Sequence, residues 1–111
     1  MKKGLFWTML NTSDGGKRAK VKGYEVEVPE FKPLRFFVYK GAFGFWVFCE
    51  QMTGLRAGVD KEKLKDALKL SIDRLKHYGK ERVFQIVAES KLVFQYDEFS
   101  LPDEFNFIVK D

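Results

Sequence analysis

"RFFVYKGAFGFWVFCEQMTG", residues 35–54, carries seven of the eighteen aromatic residues of a 111-residue chain. Two runs rich in Phe, Val, Tyr and Trp, 34–40 and 43–51, flank Gly41-Ala42. That spacing fits an antiparallel hairpin closed by a two-residue turn with Gly at its first central position. In this register Tyr39 faces Gly44, Phe37 faces Trp46 and Arg35 faces Phe48 on one side of the sheet. Val38 faces Phe45 and Phe36 faces Val47 on the other. Because side chains alternate along a strand, the hairpin then has two apolar faces and only one can be the ordinary core face. Phe36, Val38, Phe45, Val47 and Cys49 form the predicted core. Phe37, Tyr39, Trp46 and Phe48, with Arg35, form a second face that is either covered or a docking surface.

Downstream, "MTGL" reads as a turn and residues 55–58 as a short further strand. Asp60 is a predicted N-cap for a helix over 60–78, with Gly79 as its stop. Leu64, Ala67, Leu68, Ser71, Ile72 and Leu75 fall on one stripe of that helix. Residues 80–90, "KERVFQIVAES", fit a short buried helix or a core strand, and helix is favoured. Residues 92–96 and 105–109 read as strands.

Upstream, residues 4–10 read as a strand ending at the "NTSDGG" turn. In "KRAKVKGYEVEV", residues 17–28, Ala19 and Val21 share one phase, while Tyr24, Val26 and Val28 share the other. A one-residue change of phase turns the apolar side chains to the opposite face, so Gly23 is a predicted bulge or bend. "PEFKP" then breaks the chain, since proline supplies no ladder donor.

Length and composition indicate one α+β domain over 1–111: an antiparallel β-meander of four to six strands packed against one main helix. The single Cys49 lies in an apolar run and reads as a small buried hydrophobe in a reducing compartment, placing the chain in the cytoplasm. "MKKGLFWTML" reads as a first strand rather than a signal, and no run approaches the ~20 apolar residues of a membrane helix. The net charge of +4 conceals an asymmetry: residues 1–96 carry 19 Lys/Arg and 11 Asp/Glu, whereas the acidic segment 97–111 carries one Lys and five acids. A basic body suits nucleic acid or an acidic protein.

One His and one Cys exclude the common zinc spacings, and no cofactor is expected. His77, in the last turn of the predicted helix, suits that helix end as a cation. A Cys49–His77 dyad is disfavoured because a thiolate is unfavourable in an apolar run. Glu62 and Asp66 stand one turn apart among lysines, as on a solvated face. "DGGK" lacks the spacing of a phosphate loop. The chain therefore reads as non-enzymatic.

"KGAFGFWVF", residues 40–48, resembles the aromatic strand of RNA-recognition domains through Lys40, Gly41, Phe43, Gly44, Phe45, Val47 and Phe48. Ala42 and Trp46 change its spacing, so Phe48 falls opposite Phe43 and Phe45, and residues 1–34 lack the helix that family places between its first strands. A wider stretch, residues 46–83, resembles small uncharacterised proteins of bacterial phages and mobile elements. The residues concerned are Trp46, Val47, Glu50, Thr53, Gly54 and the 60–78 helix. That resemblance implies a small α+β protein without an assigned catalytic residue.

Two functional expectations follow. In the first, the chain is an accessory protein that binds itself, as a homodimer, or another protein through the aromatic face (Phe37, Tyr39, Trp46, Phe48, Arg35) or a sheet edge. In the second it binds single-stranded nucleic acid, with exposed rings stacking on bases and Arg18, Lys20, Lys22 and Lys40 holding phosphates.

Overall fold

The structure, a computed structural model, describes residues 1–12 and 15–94, with side chains described over 1–8 and 19–89. Four strands, β1 (Lys2–Thr12), β2 (Gly15–Val26), β3 (Phe36–Lys40) and β4 (Trp46–Glu50), form one antiparallel sheet in the order β1-β2-β3-β4. Two helices follow, α1 (Leu64–Tyr78) and α2 (Lys80–Phe94). The expected α+β meander is the observed architecture.

The central hairpin departs from its expected register. Lys40 pairs with Trp46, Tyr39 with Val47, Val38 with Phe48 and Phe37 with Cys49. Residues 41–45 form the connection, closed by Gly41 N–H donating to Phe45 O at 2.8 Å and Gly44 N–H donating to Gly41 O at 3.0 Å. The run expected to begin a strand at Phe43 therefore begins it at Trp46. A register displaced by an odd number of residues exchanges the faces of one strand. Trp46 and Phe48 accordingly join Phe36 and Val38 on the helix side, whereas Val47 and Cys49 join Phe37 and Tyr39 on the other.

The helix-side core is built from Phe36, Val38 and Phe48 with Val26, Val28, Phe31, Leu34 and Met52. Leu75 of α1 and Val83 and Val87 of α2 complete it. The predicted stripe on α1 faces inward: Ala67, Ser71 and Leu75 are buried, and Leu64, Leu68 and Ile72 pack against the core. The helix starts later than predicted, with Lys63 at its N-cap and no side-chain cap. Asp60 instead receives Arg56 Nη1 at 3.2 Å. Gly79 ends α1, its N–H donating to Leu75 O at 3.1 Å. Helix is the observed state of 80–90, and α2 extends to Phe94, so the predicted strand at 92–96 is helical over 92–94. The predicted strand at 105–109 and the acidic segment 97–111 lie outside the described residues.

The second face of the hairpin is covered by the chain's own first two strands. Phe6 lies parallel over Phe37, with centroids 4.5 Å apart and planes 7° apart, and Val21 packs into the same cluster. The pairing of β1 with β2 runs without interruption through Gly4↔Gly23, so the predicted bulge is absent. The phase change has another cause. Val21 packs on the Phe37 side, whereas Tyr24 and Val26, which pair with Val38 and Phe36, belong to the helix side. Gly23 sits at this handover, where a Cβ would collide with Val38 O and lie 3.3 Å from Tyr39 Cβ.

At the other end β1 reaches the turn after β4. Thr8 Oγ1 donates to Gly54 O at 2.9 Å and lies 3.7 Å from Cys49 Sγ. Gly54 has φ +70°, and a Cβ there would lie 2.6 Å from Trp7 O, so this contact requires glycine on both counts. The predicted strand at 55–58 is an irregular edge alongside β4. Ala57 N–H donates to Phe48 O at 2.8 Å and Glu50 N–H to Leu55 O at 3.0 Å, with isolated bridges at Cys49↔Arg56 and Trp46↔Lys61.

Candidate functional site

The residues nominated for an aromatic surface do not form one. Phe37 and Phe48 are 0% exposed, and Tyr39 is buried beside Phe37 and Cys49. Trp46 is half-buried on the helix side, 6.2 Å from Tyr24. Arg35 is exposed but is held by Glu25, whose Oε1 accepts from Nε at 3.0 Å and from Nη2 at 2.7 Å. The second face, open in the sequence reading as either covered or a docking surface, is thus interior, because β1 and β2 supply the cover that hairpin sequence alone does not reveal. Of the hairpin's own rings, those left at the surface are in the 41–45 connection, where Phe43 is 92% and Phe45 40% exposed.

The nominated lysines fare differently. In β2, Lys20, Lys22 and Tyr24 alternate onto one face, and their β1 partners are Trp7, Leu5 and Lys3. Lys40, at the end of β3, pairs with Trp46. Beside them lies a groove of about 540 Å³ in which Lys3, Lys22 and Lys40 stand around Leu5, Tyr24 and Trp46, and whose lining among the described residues includes no acid. Next to it, the Lys20 ammonium lies 5.0 Å above the Trp7 ring, a favourable placement of a cation on an aromatic face. Arg18 pairs with Met9 along the backbone, and its side chain lies outside the described residues. Sequence reasoning found Lys20 and Lys22 through the alternation of β2 and nominated Lys40 at the end of β3, but missed Lys3, Trp7 and Tyr24. Their signal, a basic and aromatic alternation in β1 opposite that of β2, requires the pairing register to be read.

The groove is formed because the sheet is wider than the helix layer. Tyr24 and Trp46 pack at the margin of the helix-side core, while Lys3, Leu5, Trp7, Lys20 and Lys22 in β1 and β2 are half-buried or exposed. A long aliphatic stem keeps each lysine nitrogen in water while covering apolar surface, so the ring floor and the charged rim coexist without a buried charge.

A second local arrangement surrounds Glu50, which is 3% exposed. Its Oε2 accepts from Met52 N–H at 2.6 Å, and its Oε1 accepts from Thr53 N–H and Thr53 Oγ1, both at 2.9 Å. Burial pushes this carboxyl up to about 7, against the opposing pull of the three hydrogen bonds. The bonds tie the end of β4 to the turn that meets β1, which gives Glu50 a structural task. Cys49 is inert by the same reasoning, since burial pushes its thiol up to about 12. It faces the Phe37 side of the sheet, while exposed His77 lies on α1, which packs on the opposite side, so the two form no dyad. Among the described residues no group of three or more His, Cys, Asp or Glu stands where it could hold a metal ion, and no helix is long and apolar enough to cross a membrane. No family model, curated protein or solved structure matches the chain.

Proposed function

We propose that the protein is a non-enzymatic binding module for single-stranded nucleic acid, which it holds in the β1–β2–β3 groove. The observation that carries this reading is the lining, without acids among the described residues, in which Lys3, Lys22 and Lys40 surround Leu5, Tyr24 and Trp46. Phosphates meet the ammonium groups, and one or two unstacked bases lie against the half-buried rings. Lysine gives a point charge rather than a planar fork, so such a site grips the backbone without selecting a sequence. In this reading the chain is a cytoplasmic accessory factor of a phage or bacterial genome, as the resemblance of residues 46–83 to phage and mobile-element proteins would imply.

A titration of mixed-sequence single-stranded DNA and RNA, followed by tryptophan quenching, tests the proposal. Binding is expected at low salt. If three lysines each displace one counterion, log K falls against log salt with a slope of about −2. Absence of binding to either oligonucleotide at low salt would overturn the reading.

A second reading, association with another copy or another protein, is favoured by one observation. Phe43 is 92% exposed at the tip of the 41–45 connection, with Phe45 beside it at 40%. Exposed rings close together at a loop tip are an anchor for a partner pocket. If they join two copies, sedimentation shows a concentration-dependent dimer that Phe43→Ser abolishes. A monomer at every concentration, with Phe43 as with Ser, removes self-association.

A further inference from the structure

The basic residues continue past the groove. Trp46, in its lining, is joined to Lys61 through the backbone: Trp46 N–H donates to Lys61 O at 2.7 Å and Lys61 N–H to Trp46 O at 3.3 Å. The two residues stand directly opposite each other in an antiparallel bridge. On its other side Trp46 pairs with Lys40. Directly opposed residues of antiparallel segments carry their side chains on the same face. The half-buried Trp46 ring therefore lies between two exposed lysines whose backbones are about 10 Å apart, two strand spacings. The acids beside Lys61 in sequence belong to the other face. Asp60 receives Arg56 Nη1 at 3.2 Å and acts electrostatically on Tyr39 and Cys49, which lie on the Phe37 side. Glu62 shares the side of Asp60 by the alternation of an extended segment.

The sheet register extends this row in the other direction. Tyr24 pairs with Val38, so the same register carried two residues further sets Lys22 opposite Lys40, and both line the groove. Lys22 pairs in turn with Leu5. Leu5, Lys22, Lys40, Trp46 and Lys61 thus form one line across the sheet, about 19 Å long at four strand spacings. That length suits about four nucleotides, the lower end of the sites in single-strand-binding folds. A base stacked on Trp46 then has its two flanking phosphates on either side of the ring, at Lys40 and Lys61. We infer that the nucleic-acid strand crosses the sheet from β1 to the 59–62 segment, at right angles to the β-strands, with Trp46 stacking a base and Lys61 as a fourth phosphate contact beyond Lys3, Lys22 and Lys40. The path rests on the nucleic-acid reading and gives the site a direction, a length and a contact outside the groove.

The test is a titration of a mixed-sequence single-stranded octanucleotide into wild type, Lys61→Gln and Lys69→Gln at several salt concentrations, followed by tryptophan quenching. Four phosphate contacts in place of three steepen the wild-type slope of log K against log salt from about −2 to about −3, and Lys61→Gln should return it to about −2. The same variant should bind several-fold more weakly at low salt. Lys61 meets Trp46 through backbone atoms, so the substitution keeps the bridge, and circular dichroism checks that the fold is unchanged. Lys69, exposed on α1 and away from the row, is the control, and Lys69→Gln should match wild type within about twofold in affinity and keep its slope. Binding by wild type, with Lys61→Gln equal to Lys69→Gln in affinity and slope, overturns the path and leaves the groove reading standing. No binding by wild type at low salt removes the groove reading and the path together.

Discussion

Glu50→Ala should destabilise the protein by about 2–4 kcal/mol, because it leaves two backbone N–H groups and a hydroxyl buried without their acceptor. The donors are Met52 N–H, Thr53 N–H and Thr53 Oγ1, all within 2.9 Å of the carboxylate oxygens. The loss depends on pH with a definite sign. Burial raises the Glu50 carboxyl from 4.5 to about 7, so the folded state holds this proton more tightly than the unfolded chain does. Its contribution is fully present below about pH 4.5 and is lost as the pH rises through 7. The difference in stability between wild type and Glu50→Ala should therefore shrink on going from pH 5 to pH 8. Urea denaturation of both proteins at the two pH values measures it. A difference that is constant or grows with pH would show that Glu50 is ionised throughout and that hydrogen bonding outweighs burial.

Phe37→Ala should cost about 3–5 kcal/mol, the range for removing a fully buried aromatic side chain. The ring is 0% exposed and lies between Phe6, with centroids 4.5 Å apart, and Tyr39, 6.2 Å away. Were the second hairpin face bare, the same substitution would cost almost nothing, as is expected of Phe43→Ser within about 0.5 kcal/mol. Thermal or urea unfolding of the two variants side by side distinguishes a covered face from an open one, and equal, small effects would contradict the packing of β1 and β2 over it.

How far the sequence reveals this architecture depends on where its patterns are one-sided. The α1 stripe has one apolar face and polar residues elsewhere, so Leu64, Ala67, Leu68, Ser71, Ile72 and Leu75 were legible as the packed side, and Gly79 as the stop. The β3–β4 hairpin is apolar on both faces, and alternation then carries no information about register. Gly41-Ala42 competes with the longer turn over 41–45, which the φ of +84° at Gly44 and the hydrogen bond from Gly41 N–H to Phe45 O select. Asp60 has the chemistry of a cap, yet Arg56 lies within reach four residues earlier and Asp60 pairs with it instead. The change of phase at Gly23 was visible in the sequence, but its meaning was not. A bulge and a strand that serves two different faces leave the same pattern, and the unbroken β1–β2 ladder identifies the second.

The candidate site was legible in part for the same reason. Lys20 and Lys22 alternate against Ala19 and Val21 within a single strand, which reading along the chain detects. Lys3, Leu5 and Tyr24 join them only through the pairing of β1 with β2, a contact across 17 to 21 residues. Glu50 carried a weaker signal, an acid at the end of an apolar strand followed three residues later by Thr53 and then Gly54. That spacing allows a side chain to collect the amides of its own turn, as it does here.

The proposed grip of the groove on nucleic acid is tested most directly by the salt dependence of single-stranded oligonucleotide binding in wild type and in Lys22→Glu/Lys40→Glu. Both lysines are exposed, so the fold should survive, and circular dichroism of the variant checks that it does. The account predicts binding at low salt that is lost in the variant by at least about tenfold, with the slope of log K against log salt reduced in magnitude by more than about 1. Equal affinity and equal slope in the two proteins would contradict it.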